Sequence, residues 1–231
     1  MSQARLPVAV LGARGRLGAL ACEAISAAGD LELVARLDSK DALEEALRKS
    51  GARVVLECTR AGLGYEHARR ILALGLRPVV GTSGVSLEET RALDEQARAL
   101  ELGGIVVPNF SIGMWLLQRA ALEAARHFPK CEIIEMHHEQ KLDAPSGTAL
   151  DTAERLRAQR TDGQAPPIHS VRLPGLYAHQ LVLFGSQGES YTLRHDMSGP
   201  AAFGPGILAA VRYAASARGV ARGLDAALQS R

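Results

Sequence analysis

Short apolar runs alternate with longer amphipathic stretches through the first half of the chain. Five of these runs predict β-strands, at residues 6–11, 31–37, 53–57, 77–80 and 104–107. The stretches between them have the apolar spacing of helices, and the pattern repeats about every 20 to 30 residues. This alternation predicts βαβ units and an α/β fold with a Rossmann-like parallel sheet, which right-handed crossovers make doubly wound.

Glycine and capping residues mark the ends of several predicted helices. Gly29 follows an alanine-rich stretch, and Ser86 with Glu89 three positions later has the spacing of a capping box. Helices are predicted between the strands at about 15–28, 41–49, 63–74 and 86–100.

The pattern changes after Pro108. A long apolar helix is predicted at about 112–126, followed by a strand at 131–137 and a helix at about 147–159. Residues 159–167 are polar and contain prolines, which predicts an exposed loop.

Two alternating runs near the end of the chain predict a β-hairpin. They lie at 179–184 and 190–195 and are joined across glycines, and a last helix is predicted at about 206–216. The second half is therefore expected to be an α+β domain with a mixed or antiparallel sheet. We predict that residues 1–108 and 206–231 form a dinucleotide-binding domain, and that residues 109–205 form a substrate-binding and oligomerisation domain.

Gly12, Gly15 and Gly18 lie where the first strand meets the first helix. Glycines there permit a tight turn and let backbone N–H groups approach a pyrophosphate, at a helix start whose dipole attracts the anion. The G-x-x-G-x-x-G spacing is one step from the dinucleotide-binding pattern and is weak evidence by itself, because a simple turn also uses glycine. The order of strand, glycines and helix favours a dinucleotide site.

Asp38 ends the second predicted strand, about 20 residues beyond the last glycine of this turn. A carboxylate there can accept hydrogen bonds from both ribose hydroxyls of NAD and should repel the extra phosphate of NADP. Arg36 and Lys40 can soften that repulsion, and an ordinary water-facing aspartate is the alternative. We expect NADH to be used at least as well as NADPH. The G-T-S-G segment at 81–84 follows the fourth strand and is expected to line the same crevice.

The composition excludes several classes of protein. The 231-residue chain is 47% hydrophobic, an ordinary globular balance, and its formal net charge of +2 is too small to predict nucleic-acid binding. Its 3 cysteines lack C-x-x-C spacing, which argues against a disulfide framework and a zinc site. No basic-then-apolar leader opens the chain and no apolar run approaches 18 residues, so we expect a cytoplasmic protein without membrane contact.

The densest chemistry lies in E-M-H-H-E-Q-K-L-D-A-P-S-G-T-A-L at residues 135–150. In an extended strand His137 and His138 point to opposite faces, so one of them is expected to share a surface with Lys141. An imidazole suits general acid–base catalysis near neutral pH. A structural histidine is the alternative, and adjacent histidines on a strand cannot readily chelate one ion, so no metal site is predicted.

A predicted helix start follows directly. Pro145 breaks the strand, and Ser146, Gly147 and Thr148 begin the next helix. The first N–H groups of a helix have no partner within it, so together with two hydroxyls they form a ready carboxylate site. The two hydroxyl residues are at least helix caps. With the positive charge of Lys141, this arrangement suits an anionic substrate, preferably one with two carboxylates.

These motifs resemble those of the bacterial dihydrodipicolinate reductase family of the diaminopimelate and lysine pathway. The likeness covers nearly the whole chain, and its most specific part is the H-H-x-x-K-x-D-A-P-S-G-T-A block at 137–149. Matching segments also lie at 8–18, 79–84, 107–113 and 194–206. The resemblance implies NAD(P)H-dependent reduction of 4-hydroxy-tetrahydrodipicolinate to tetrahydrodipicolinate, with hydride added at ring C4 and no metal.

The resemblance also implies roles for individual residues. His137 is implied as the proton donor and acceptor and Lys141 as a second proton donor, while His138, Gly147 and Thr148 hold the substrate carboxylates. The implied cofactor-binding residues are Gly12, Ala13, Arg14, Gly15, Arg16 and Leu17 for the pyrophosphate, Asp38 for the ribose, and Gly81, Thr82, Ser83, Val107, Pro108, Asn109 and Phe110 for the nicotinamide half. Family members are usually homotetramers, which here implies an interface near 168–200.

The chain departs from the family pattern in three places. The segment between Asp38 and the third strand is shorter by about 20 residues, so the adenine side of the cofactor site is expected to be more open. Ser39 replaces a basic residue, which further argues against tight NADP binding. Asp196 and Pro200 stand at two usually basic positions, so the family's basic residues have no counterpart there.

Two other functions are compatible with a fold of this kind. A related amino-acid-pathway dehydrogenase, such as an aspartate or diaminopimelate dehydrogenase, would oxidise an amino acid with NAD. A catalytically inactive NAD(H) sensor would bind the cofactor without turnover. The cluster of His137, Lys141 and Ser146 argues against the sensor, because a sensor needs none of these residues.

Overall fold

A computed structural model describes residues 4–38, 40–160 and 163–229. The chain divides into two compact units, one running up to Phe110 and resuming at Phe203, the other comprising residues 111–202. These divisions lie two and three residues from the predicted boundaries at 108/109 and 205/206. Ser39 and part of the predicted loop at 159–167 lie outside the described residues. Within the described ranges, no helix has the length and apolarity needed to cross a membrane.

A parallel sheet of six strands forms the centre of the first unit. Numbered along the chain, its strands are β1 (Leu6–Leu11), β2 (Leu31–Leu37), β3 (Val54–Glu57), β4 (Arg77–Val80), β5 (Gly103–Val106) and β10 (Gly219–Arg222). In the order β10-β5-β4-β3-β1-β2 every neighbouring pair is parallel, which confirms the predicted Rossmann-like sheet. The sequence pattern does not predict β10, because its G-V-A-R sequence is short and has no apolar run.

Helices cover both faces of this sheet. They are α1 (Arg16–Ala27), α2 (Leu43–Ser50), α3 (Gly64–Ala73), α4 (Leu87–Ala99), α7 (Gly204–Ser216) and the short α8 (Asp225–Gln229). Helices α1 and α7 pack on one another, whereas α2, α3 and α4 contribute to two apolar clusters with the sheet. At the start of α4, Ser86 and Glu89 exchange hydrogen bonds of 2.7 and 3.1 Å, which confirms the predicted capping box.

The direction of the chain across this sheet reverses at β1. Strand β1 pairs with β2 on one side and with β3 on the other, and β4, β5 and β10 continue outwards from β3. In sheets of this kind, ligands bind at such a switch point, in the crevice outside the carboxyl ends of the strands. Gly12 follows β1 and Cys58 follows β3, so both lie at this crevice.

A mixed four-stranded sheet and two helices form the second unit. The strands are β6 (Lys130–His137), β7 (Ile168–Arg172), β8 (Ala178–Ser186) and β9 (Glu189–Met197), and the helices are α5 (Ile112–Ala124) and α6 (Gly147–Gln159). In the order β7-β6-β8-β9, only β7 and β6 are parallel among these four strands. The predicted hairpin is β8–β9. The pattern does not predict β7, because the exposed residues His169 and Ser170 interrupt its apolar positions.

The buried face of β6 leads from the core to its carboxyl end. Cys131 and Ile133 lie in an apolar cluster with residues of α5 and α6. Side chains alternate along a strand, so Glu135 and His137 continue the same face. Two titratable side chains therefore follow directly on the core of the second unit.

Gly206 in α7 should not tolerate alanine, although alanine normally favours a helix. A Cβ at Gly206 would lie 1.9 Å from the carbonyl oxygen of Phe110, so the backbone would have to move. Overpacking of this kind typically costs ~1–3 kcal/mol, and we expect Gly206→Ala to lower the free energy of unfolding in urea by that amount. Gly204→Ala is the control in the same helix, because its Cβ would meet only Ala24 Cβ, at 3.8 Å. Equal stability of the two variants would contradict this packing of α7.

Candidate active site

The turn after β1 has a backbone form that requires glycine. Gly12 has a φ of +86°, and a Cβ there would lie 2.4 Å from the carbonyl oxygen of Cys58. A Cβ at Gly18 would lie 2.0 Å from the carbonyl oxygen of Gly12, so the first turn of α1 packs directly on the glycine turn. The N-cap is Gly15, which has no side chain to cover the first amide groups of α1. Open amide groups at a helix start fit an anion such as a pyrophosphate.

A cavity of about 580 Å³ opens beside this turn. It is lined by Gly12, Gly15 and Asp38 and, from the segment after β3 and from α3, by Thr59 and His67. Its volume is in the range of small-molecule sites. The cavity is therefore the candidate site for the adenosine half of a dinucleotide.

Asp38 stands at the edge of this cavity with a second acid nearby. Its Oδ2 is 3.0 Å from Nε of Arg14, and its Oδ1 accepts the backbone N–H of Arg14 at 3.5 Å. Asp41 accepts the N–H of Asp38 at 2.7 Å, so a second carboxylate faces the same edge. Glu44 also lines the cavity and is ion-paired with Arg70. The rim beside Asp38 is thus rich in carboxylates.

The residues predicted for the nicotinamide half lie beyond the carboxyl ends of β4 and β5. A Cβ at Gly81 would lie 2.7 Å from the ring of Phe110 and 3.4 Å from Leu17 Cδ2, so the structure brings these three together. Of the other predicted residues in the first unit, Ala13, Thr82 and Val107 are buried, Asn109 is half-buried, and Arg14, Arg16, Ser83 and Pro108 are exposed.

A buried acid that was not among the predicted site residues lies at the end of β3. Glu57 is 0% exposed, and its Oε1 accepts the Thr59 N–H at 3.2 Å and lies 3.1 Å from Nδ1 of His67. Burial opposes its ionisation, but hydrogen bonds from His67, Thr59 and Thr82 outweigh this effect, and its pKa lies below the ordinary value. Glu57 therefore orders the segment that lines the cavity. The sequence did contain a signal for Glu57, because an acid at the end of an otherwise apolar strand is unusual.

The second unit brings the predicted substrate residues to the start of α6. Ser146 is its buried N-cap, and its Oγ accepts the N–H of Ala149 at 3.2 Å. Gly147 is exposed, and a Cβ there would meet nothing within 4 Å, so the first turn of α6 is open on this side. Thr148 is half-buried. An open helix start of this kind attracts a carboxylate.

The carboxylate of Glu135 joins this helix start to His137. Glu135 is 0% exposed; its Oε2 is 2.5 Å from Nδ1 of His137, and its Oε1 accepts the N–H of Ser146 at 3.3 Å. Arg172, at the end of β7, donates to the two oxygens at 3.0 and 2.7 Å. One buried group thus holds two of the predicted site residues. Strand alternation could have indicated Glu135 from the sequence, because it lies two positions before His137 and so on the same face of the strand. No sequence pattern indicated Arg172, because β7 is not predicted.

The electrostatics of this cluster oppose a charged imidazole. Burial disfavours ionisation of Glu135, but hydrogen bonds from Arg172, Ser170 and His137 outweigh it, and the pKa of this carboxyl lies below its ordinary value. Burial also lowers the pKa of His137; Lys141 and Arg172 lower it further, and Glu135 acts in the opposite direction. The pKa of His137 therefore lies below the ordinary value of about 6.5.

Lys141 lies in the loop between β6 and α6, in an ion pair with Asp143. Its Nζ is 2.7 and 2.8 Å from the two carboxylate oxygens, and its backbone N–H donates to the carbonyl of His138 at 3.1 Å. Arg172 donates to the carbonyl of Asp143 at 2.7 Å and so anchors this loop to β7. Lys141 and His137 share one electrostatic environment, because the ammonium lowers the pKa of the imidazole.

Other charged groups of the second unit form local pairs. Asp196, at a usually basic family position, has its carboxylate oxygens 2.7 Å from Nδ1 of His179 and 2.7 Å from Nε of Arg194. Pro200 begins the 3-10 turn Pro200–Phe203. In the part of the chain that the structure describes, no three His, Cys, Asp or Glu side chains are grouped to hold a metal ion.

Two family models match almost the whole chain. "Dihydrodipicolinate reductase, N-terminus" matches residues 6–110, and "Dihydrodipicolinate reductase, C-terminus" matches residues 113–228. The two matches meet close to the first division between the compact units, at Phe110.

Curated relatives and a solved structure agree with these models. The chain is 43% identical over 219 residues to 4-hydroxy-tetrahydrodipicolinate reductase from Coxiella burnetii, covering 89% of this chain and 92% of the relative. It is 39% identical over 273 residues to the reductase of the same name from Trichormus variabilis, covering 97% and 98%. The structure of dipicolinate-bound dihydrodipicolinate reductase from Paenisporosarcina sp. TG-14 has a TM-score of 0.87 and 36% identity, covering 96% of this chain and 98% of that one. The chain therefore belongs to the dihydrodipicolinate reductase family.

Proposed function

We propose that this chain carries out the reaction of its family, the NAD(P)H-dependent reduction of 4-hydroxy-tetrahydrodipicolinate, with His137 as proton donor and the start of α6 as carboxylate site. Replacing a ring hydroxyl by hydrogen requires a hydride and a proton and releases water. The observation that carries the assignment is the single buried carboxylate that holds both His137 and Ser146.

The first unit has the residues needed to hold NADH or NADPH, which supplies the hydride when bound. We assign the pyrophosphate to the glycine turn and the start of α1, because Gly12 and Gly18 let the turn pack directly on α1 and the N-cap Gly15 has no side chain over the first amide groups. The cavity beside Asp38 is assigned to adenosine, and Asp38 to its ribose hydroxyls. The contact of Gly81 with Phe110 supports a nicotinamide site on that side.

The second unit has the residues needed to bind a dicarboxylate. Gly147 and Thr148 begin α6, and the positive end of the helix dipole there attracts a carboxylate. Lys141 forms an ion pair with the exposed carboxylate of Asp143, and a substrate carboxylate can compete with Asp143 for the ammonium. We assign His138 and Ser146 to the same binding surface. Dipicolinate, which is bound to the solved relative, is the analogue we propose for this site.

His137 is suited to move a proton at one defined atom. Its Nδ1 is held by Glu135, which leaves Nε2 for the substrate. Its lowered pKa favours release of the proton that the reaction consumes, and a bound dianion should raise that pKa and favour uptake of the next proton. General acid–base catalysis at Nε2 follows from this placement.

The assembly is implied by the resemblance, whereas the cellular location is an expectation from the sequence. We propose a cytoplasmic homotetramer assembled through the sheet of the second unit. The support is that Ile134, Met136, Leu181 and Leu183 alternate with the core residues of β6 and β8, and so form a half-buried apolar surface on the opposite face. A dehydrogenase or an inactive sensor would differ in a turnover assay, the first by oxidising an amino acid and the second by binding cofactor without turnover.

His137→Ala should lower kcat by at least about 10²-fold with a modest change in KM, because general acid–base catalysis typically contributes ~10²–10⁴-fold. The measurement is a steady-state assay with freshly generated substrate. A His137→Ala rate within a few-fold of the unmodified chain would exclude His137 from the mechanism.

Lys141→Ala should raise KM as well as lower kcat in the same assay, since it removes a carboxylate contact. An unchanged KM in Lys141→Ala would contradict the carboxylate role of this lysine.

The pH profile of the reductase should report the proton on His137. A proton donor must be protonated in the free enzyme, so kcat/KM should fall tenfold per pH unit above the pKa of His137, beginning below pH ~6.5. The fall in kcat should begin at a higher pH, because two substrate carboxylates raise the pKa in the complex. The His137→Ala variant should lack both falls. If kcat/KM and kcat of this variant still fall with pH as they do in the unmodified chain, a group other than His137 causes the pH dependence.

Asp38 should set the cofactor preference. We expect kcat/KM for NADH to equal or exceed that for NADPH, and Asp38→Ser to lower the NADH/NADPH ratio at least about tenfold, because it removes ribose hydrogen bonds and a charge that repels phosphate. Glu32→Ser is the control and should leave the ratio unchanged, because Glu32 is an exposed acid on β2, the strand that Asp38 follows. An unchanged ratio in Asp38→Ser would show that the preference arises elsewhere.

A further inference from the structure

The buried carboxylate of Glu135 is unusual for its position. It continues the face of β6 on which Cys131 and Ile133 pack into the core. Burying a charged group costs free energy unless it is paired and hydrogen-bonded, and an apolar side chain would fill this place without that cost. The family reaction as assigned above does not require Glu135 to touch the substrate. Its contacts therefore need an explanation of their own.

Both oxygens of Glu135 are occupied. The guanidinium of Arg172 binds them together, at 2.7 Å to Oε1 and 3.0 Å to Oε2. Oε1 also accepts the N–H of Ser146, and Oε2 lies 2.5 Å from Nδ1 of His137. Arginine stays protonated in proteins, and the positive charge of Arg172 keeps the Glu135 carboxylate ionised. An ionised carboxylate can only accept hydrogen bonds.

We propose that Glu135 is a positioning residue that keeps a proton on Nδ1 of His137, so that Nε2 is the atom that exchanges protons with the substrate. This role of Glu135 rests on the proposed function of His137 as proton donor. Because Glu135 accepts only, Nδ1 must donate to it in the neutral and the charged imidazole alike. The same carboxylate accepts the amide of the α6 N-cap, so it aligns the proton donor with the carboxylate site.

Arg172 balances this arrangement. An unpaired carboxylate beside His137 would stabilise the imidazolium and hold back its proton. The guanidinium offsets that charge, and its bond to the carbonyl of Asp143 fixes the loop that carries Lys141. The groups whose charges act on His137 are Glu135, Lys141 and Arg172. Glu135 and Arg172 therefore shift the affinity of the imidazole for protons in opposite directions.

The first experiment identifies the protonated nitrogen directly. We expect ¹⁵N NMR of histidine-labelled protein at pH 8, where His137 is neutral, to show the proton on Nδ1. The His137→Gln variant assigns the signal among the 7 histidines of the chain. A proton on Nε2 of neutral His137 would overturn the proposal. This measurement needs no substitution at Glu135 and does not depend on whether His137 proves to be catalytic.

The second experiment uses substitutions with opposite expected signs. Glu135→Gln removes the anion, so the fall of kcat/KM with pH should shift to lower pH by at least about 1 unit. Arg172→Gln removes the cation, so the same fall should shift to higher pH. A merely structural role would lower activity in both variants without moving the two profiles apart. Shifts in the same direction, or no shift in either variant, would overturn the proposal.

A control is available on the same strand. Glu132, on β6, forms a carboxylate–imidazole pair of 2.8 Å with His169 of β7, but both side chains are exposed. Glu132→Gln should leave kcat/KM and its pH profile unchanged. If Glu135→Gln proves too unstable to assay, the NMR result and the Arg172→Gln profile still decide. If His137→Ala were fully active while NMR showed the proton on Nδ1, the proton-donor assignment would fail, and of the present proposal only the effect of Glu135 on the protonated nitrogen would stand.

Discussion

A charge that must be satisfied inside the protein determines how the second unit is arranged. The ionised side chain of Glu135 has no access to water, so its free energy depends on donors supplied by the chain. Those donors come from β6 itself, from β7 through Arg172 and from the start of α6 through Ser146. Accommodating one carboxylate therefore aligns three segments, and the residues proposed for catalysis and substrate binding lie where those segments meet.

In the first unit the corresponding constraint is steric. The carbonyl oxygens of Gly12 and Cys58 occupy the space that side chains at positions 18 and 12 would need. The resulting contact brings the ends of β1 and β3 against the start of α1, where backbone amides can face an anion. In both units the proposed binding groups are thus held against the carboxyl end of a strand, in the first unit by close packing of backbone and in the second by a buried ion pair.

Periodicity predicted most of the fold, because strands such as β1 and helices such as α5 have apolar patterns that are complete within their own segments. It did not predict β7 or β10, whose short sequences gain their structure from pairing with β6 and β5. The residues of the candidate site likewise differ in whether a local pattern predicts them. Local motifs predicted the glycine turn and the Ser146 cap, whereas Arg172 reaches Glu135 across 37 positions of sequence through the register of β7 on β6. A contact of that kind has no local pattern.

In the proposed reaction, the segment from His137 to the start of α6 binds a ring dicarboxylate and presents Nε2 of His137 to it. A crystal structure with NADH and dipicolinate tests this most directly. We expect one carboxylate on the amides of Gly147 and Thr148 and near Lys141, with Nε2 of His137 facing the ring and Nδ1 still bonded to Glu135. A dicarboxylate bound elsewhere, or a 137–149 segment that faces away from the cofactor, would contradict it.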